Sequence, residues 1–117
     1  MSTVLVVDDT LDCAEPLARL LRKSGHTVQC AANGREALAK LIRFRPDVII
    51  LDMMMPVMDG VTFLEAMRCN PAWQGTRVVV FTGCGDALPA GQLAELGVVE
   101  VLLKASVDFE RLLKVVA

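Results

Sequence analysis

The sequence is short of the features that mark several common protein classes. It has one histidine, His26, and its four cysteines (Cys13, Cys30, Cys69, Cys84) contain no CxxC pair. A zinc site needs clustered thiolate and imidazole ligands, so that chemistry is not expected, and reduced, buried thiols are the simpler reading. The longest apolar stretches, Val48–Leu51 and Val78–Phe81, fall far short of the ~20 residues of a spanning helix, so no membrane insertion is expected. No basic run exceeds Arg22-Lys23 and the formal net charge is −2, which speaks against direct nucleic-acid binding, since duplex binders concentrate positive charge. Met1-Ser2-Thr3-Val4 lacks a basic region followed by an apolar one, so no secretory signal is expected and a cytoplasmic location is. Tyrosine is absent.

What is present suits one globular domain spanning residues 1–117. Hydrophobic residues make up 54% and charged ones 22% of 117 residues, enough for a core without staples. Short apolar runs alternate with helical periodicity. Val4–Val7 reads as a strand, followed by Ala14, Leu17, Ala18 and Leu21 at helical spacing with Gly25 as a stop. Thr27–Ala31 reads as a second strand. Asn33 and Glu36 then form a capping-box pattern for a helix to about Arg43.

Asp47–Leu51 is a third strand, and Phe63, Leu64 and Met67 mark a helix after the Asp59-Gly60 turn. Arg77–Phe81 is a fourth strand. Pro89 opens a short helix that Gly97 closes. Val98–Leu103 is a fifth strand, and Ser106 caps a last helix with the stripe Phe109, Leu112, Leu113 and Val116. Five such units in a row predict an α/β fold with a parallel sheet and helices on both faces. Continuous apolar strands such as Val48-Ile49-Ile50-Leu51 agree, because a half-exposed strand would alternate.

In a sheet of this kind ligands bind at the carboxyl ends of the strands. There lie Asp8, Asp9, Asp52, Thr82 and Lys104. Each alone has an ordinary structural explanation; acidic residues, for example, favour a helix start. Together they bring three carboxylates, a hydroxyl and an ammonium to one rim. Crowded carboxylates repel, and oxygen ligands suit Mg²⁺ better than zinc. A carboxylate beside such a cation can attack phosphorus and form an acyl phosphate.

Val4-Leu5-Val6-Val7-Asp8-Asp9, the stretch from Val48 to Gly60 with its Asp52-xxx-Pro56-xx-Asp59-Gly60 core, Val78–Thr82 and Val101-Leu102-Leu103-Lys104 resemble the receiver domains of two-component signalling. The resemblance covers essentially the whole chain. It implies a flavodoxin-like, doubly wound sheet of strand order 2-1-3-4-5. It further implies Asp52 as phosphoacceptor, Asp8 and Asp9 as the acidic pair on Mg²⁺, and the Met54 backbone carbonyl as another ligand. Thr82 is then the switch hydroxyl and Lys104 the cation that pairs with the phosphoryl group. The implied donor is a phosphohistidine on a sensor histidine kinase or histidine phosphotransfer protein, the downstream partner an unspecified protein, with phosphorylation-linked homodimerisation compatible with both. The chain is not expected to be an enzyme beyond catalysing its own phosphoryl transfer and slow dephosphorylation.

Three departures bear on how a signal is read. Ala105 follows Lys104 where the family commonly has proline, so a trans or strained cis bond is expected. Val101 stands where an aromatic switch residue is frequent. The segment from Gly83 to Gly91 holds three glycines and a proline, which predicts a mobile loop and a short fourth helix. The alternative that Ala105 and Val101 favour is a docking or dimerisation module of the same fold acting without phosphorylation. A flavin-binding flavodoxin is disfavoured, because the first loop is acidic where a phosphate needs amides.

Overall fold

A computed structural model describes residues 2–55, 57–83, 90–105 and 108–116. The elements follow the alternation of the sequence: β1 (Thr3–Val7), α1 (Leu11–Lys23), β2 (Thr27–Ala31), α2 (Gly34–Leu41), β3 (Val48–Leu51), α3 (Gly60–Arg68), a 3-10 turn at Pro71–Trp73, β4 (Arg77–Thr82), α4 (Ala90–Glu95), β5 (Val98–Leu103) and α5 (Phe109–Val116). The five strands are parallel and ordered β2-β1-β3-β4-β5. This is the flavodoxin-like arrangement.

The unbroken apolar runs are explained by the two-residue period of a strand, which sends neighbours to opposite faces. Leu5, Val7, Ile49, Leu51, Val78 and Val80 pack with Ala37 and Leu41 of α2, Phe63, Leu64 and Met67 of α3, and Leu93 of α4. Val4, Val6, Val48, Ile50, Val79 and Phe81 pack on the other face with Ala14, Leu17, Ala18 and Leu21 of α1, and Leu112 and Val116 of α5. Both faces are covered, so both sets of side chains have to be apolar.

Helix ends follow local chemistry. Gly25, with φ +94, and Gly97, with φ +84, take the left-handed conformation after α1 and α4, as predicted stops should. Asn33 accepts from the Glu36 amide at 2.8 Å, but the Glu36 carboxylate lies 3.5 Å from Lys40, so half of the capping box is replaced by an i,i+4 ion pair. Asp59 caps α3 through the Thr62 amide at 2.8 Å. Arg68, at the end of α3, donates to the carbonyls of Leu96, Trp73 and Thr76 at 2.7–2.8 Å and thereby ties two turns together.

Some expectations need correction. Helix α2 ends at Leu41, not Arg43. Phe109 is 51% exposed and Leu113 half-buried, so the buried stripe of α5 is Leu112 and Val116. The helix is only eight residues long, and Phe109, Glu110 and Arg111 of its first turn are all exposed. Asp108 accepts from the Glu110 amide at 3.0 Å at the start of α5, while Ser106 and Pro89, expected to cap α5 and open α4, lie outside the described residues, as does most of the Gly83–Gly91 loop. Cys13 and Cys30 are half-buried and Cys69 is exposed, not sequestered; Cys84 lies outside the described residues. His26 is buried, with Nδ1 accepting from the Ser2 amide at 2.9 Å. No helix among the described residues is long and apolar enough to cross a membrane.

Gly60 opens α3 directly against the segment that follows β3. A Cβ there would lie 2.5 Å from Met53 Sδ and 2.9 Å from Met53 Cα, and the backbone atom cannot yield. Gly60→Ala should therefore destabilise the fold by about 1–3 kcal/mol, despite the better helix propensity of alanine. Gly75→Ala, which meets nothing within 4 Å, should change stability by less than about 0.5 kcal/mol. Denaturant melts of the two variants compare these directly.

Candidate functional site

Strand register brings the site together. Val7 is level with Leu51, and Leu51 with Val80, so the chain leaves β1, β3 and β4 along one rim. The ladder continues one step past the strands: the Asp8 amide donates to Ala31 O at 3.0 Å and the Asp52 amide to Val7 O at 2.9 Å. On the far side the Lys104 amide donates to Thr82 O at 2.8 Å. The backbone beneath four of the five candidate residues is thus fixed by sheet hydrogen bonds.

The side chains converge on that base. The Lys104 ammonium lies 2.8 Å from Asp8 Oδ2 and 3.4 Å from Asp52 Oδ2. Each carboxylate uses its other oxygen locally: Asp8 Oδ1 accepts from the Thr10 amide at 2.9 Å, and Asp52 Oδ1 from the Met54 amide at 3.3 Å. Asp9 is exposed, yet one oxygen each from Asp8, Asp9 and Asp52 can be chosen so that all lie within 4.8 Å of one another. Thr82 is fully buried at the end of β4. All the side chains named from the sequence therefore share one rim.

The bond between Lys104 and Ala105 is trans, since the described residues contain no cis peptide. The ammonium reaches both carboxylates all the same. Met54 has a 67% exposed side chain between buried Met53 and Met55, and its contact with the site is the backbone amide that donates to Asp52 Oδ1. Val101 is 42% exposed and level with Val80 on β4.

Two neighbours escaped the sequence reading. The Lys104 ammonium sits 5.9 Å from the centre of the Phe81 ring, within reach of a cation–π attraction. Phe81 precedes Thr82, and its position at a strand end was the available signal. The Thr10 amide orients Asp8, and an Asp-x-Thr turn before a helix is a recognisable local pattern.

Electrostatics set these groups against burial. Burial raises the Asp52 pKa above its ordinary value and the Asp8 charge adds to this, while the Met54 amide and the Lys104 ammonium pull it down without winning. Burial opposes the Lys104 charge, yet the hydrogen bond to Asp8 and the charges of Asp52 and Asp8 hold its pKa above the usual lysine value. One ammonium faces three carboxylates, which leaves an excess of negative charge. The donors are oxygens, as a hard divalent cation requires. They lie within 4.8 Å of one another, close enough for one such ion and its water ligands to be shared among them.

Comparison with known proteins agrees with this geometry. The model of the response regulator receiver domain matches residues 4–117. The chain is 40% identical over 116 residues to protein-glutamate methylesterase/protein-glutamine glutaminase 3 of Hahella chejuensis, covering 92% of this chain but 32% of that protein. It is 34% identical over 94 residues to sporulation initiation phosphotransferase F of Bacillus subtilis, covering 80% of this chain and 74% of that one. Among solved structures, the chemotaxis protein CheY4 of Vibrio cholerae superposes with a TM-score of 0.87 at 36% identity, over 98% of this chain and 95% of the other. The chain thus spans less than a third of several longer curated relatives and nearly all of a structure that consists of this fold alone. Sequence motifs, rim geometry and these likenesses lead to one placement: this chain belongs to the family of response regulator receiver domains of two-component systems.

Proposed function

We propose that this chain is a phosphoacceptor module in which Asp52 takes a phosphoryl group from a phosphohistidine of a sensor histidine kinase or histidine phosphotransfer protein, in the cytoplasm. The observation that carries this reading is the Lys104 ammonium bridging Asp8 and Asp52, with Asp9 completing a three-carboxylate cluster. Asp8, Asp9, Asp52 and the Met54 carbonyl would hold Mg²⁺. That ion, when bound, supplies positive charge to phosphoryl oxygens that would otherwise be repelled by the acidic rim.

The chain's own groups do the rest. Asp52 is held in place by its backbone bond to β1 and presents a carboxylate oxygen to phosphorus. The P–N bond to imidazole breaks with its electron pair leaving on nitrogen, and a P–O bond to Asp52 forms. Lys104, already at 3.4 Å from Asp52, then pairs with the phosphoryl oxygens it meets. Thr82 is covered in this state, so its hydroxyl has to move to donate to the phosphoryl group. That movement shifts the end of β4 and with it the surface offered to a downstream protein. The competing reading, a docking module that is never phosphorylated, draws on Ala105 and Val101; the trans bond after Lys104 costs it support, because the ammonium reaches the carboxylates regardless.

With Mg²⁺ and acetyl phosphate, intact-mass measurement should show one added phosphoryl group, absent in Asp52→Asn. Wild type left unmodified by small donors and kinases alike, while still binding a partner, would establish the docking reading. Asp9→Asn should weaken Mg²⁺ binding by an order of magnitude or more, about 1.4 kcal/mol, in a calorimetric titration. Stability should report the buried charge of Asp52. Its raised pKa means that the folded state binds its proton more tightly than the unfolded one, so the ionised group costs stability at pH 7. That cost fades as pH falls through the carboxylate range. Without divalent metal, Asp52→Asn should melt above wild type at pH 7, by about 4 °C for each kcal/mol, with the gap closing in acid. Mg²⁺ should narrow it at pH 7 by binding the native wild type.

A further inference from the structure

β2 is an outer strand of the sheet, and one side of it has no neighbour. The Thr27 amide donates to Ser2 O and Ala31 O accepts from the Asp8 amide, both across to β1. With the two-residue period of a strand, Thr27, Gln29 and Ala31 turn their peptide groups inward. Val28 and Cys30 turn theirs to the open side. Both outward carbonyls are taken by cationic side chains. Val28 O accepts from Arg22 Nη2 at 2.9 Å, and Cys30 O accepts from Lys40 Nζ. Arg22 comes from α1 and Lys40 from α2, helices packed on opposite faces of the sheet, so the two side chains close on the strand from both flanks.

We infer that Arg22 and Lys40 form a clasp that blocks strand addition at the β2 edge, and that the occupant they exclude is β2 of a second copy of this chain. An outer strand offers a ready template for pairing, and long basic side chains are one means of blunting it. The strand itself offers no other protection: Thr27-Val28-Gln29-Cys30-Ala31 has no charge and no proline. A second copy fits the opened edge because an antiparallel β2–β2 pair centred on Gln29 is self-complementary about a two-fold axis, with each outward carbonyl facing an outward amide. It is excluded while the clasp holds, because the carbonyls are occupied and the pair would bring Arg22 and Lys40 of each copy against those of the other. The inference concerns β2 and its flanking helices alone, independent of the reading of Asp52.

The test uses the full chain carrying Arg22→Met, Lys40→Met, or both, since methionine keeps the apolar stem and removes the donor. Sedimentation velocity over a concentration series gives the self-association constant, circular dichroism reports folding, and amide exchange locates the contact. The double variant should associate at least about tenfold more tightly than wild type while remaining folded, with slowed exchange at the Val28 and Cys30 amides as concentration rises. Each single variant should show the same change to a smaller degree, which decides the matter if the double variant does not fold. Arg22→Lys with Lys40→Arg retains donors and charge and should behave as wild type. Folded single variants with unchanged association, or association without slowed exchange at Val28 and Cys30, would overturn the inference.

Discussion

The Lys104 ammonium held between Asp8 and Asp52 is the interaction on which the rest of this molecule turns. Its three members leave three different strands, so the contact exists only when β1, β3 and β5 are aligned and parallel. Two mostly buried carboxylates would repel each other and suffer desolvation without it. The rim is thus built with an internal cation, and Asp9 at the solvent edge leaves an excess of negative charge for a second one. Carboxylates that need a cation and a carboxylate placed to meet phosphorus are, in this site, the same groups.

The rim is fixed at its base. Sheet hydrogen bonds fix the backbone of Asp8, Asp52, Thr82 and Lys104. The link from Asp52 to α3 is under tension by comparison. Val57 is a β-branched residue at φ 71, a conformation that costs on the order of 1–3 kcal/mol, and it persists between a residue anchored to β1 and the Asp59 cap of α3. At the opposite end of the fold, Arg68 gathers the carbonyls of two turns, and burial lowers its pKa.

The sequence carried the strands, the helices and the rim because each rests on local or pairwise rules. Val48–Leu51 could only be a strand buried on both faces, Asp59 and Asn33 could only start helices economically, and residues at the carboxyl ends of parallel strands share a rim whatever the loops do. Phe109 shows where such rules stop. Helical spacing placed it in the stripe with Leu112 and Val116, but whether a residue at that spacing is covered depends on which elements pack against it. Glu36 shows the same limit, since a capping box and an ion pair with Lys40 are both satisfied by one sequence and the approach of Lys40 to β2 decided between them.

By itself the sequence determined the fold class, the order of the elements and the identity of the five polar side chains at the strand ends, since periodicity, caps and motif spacing are properties of neighbours along the chain. Only the tertiary structure decided that Lys104 reaches both carboxylates through a trans bond to Ala105, that Thr82 is fully buried, and that Arg22 and Lys40 meet on β2. Each of these is a contact between segments far apart in sequence, and its geometry is set by how strands and helices pack against one another.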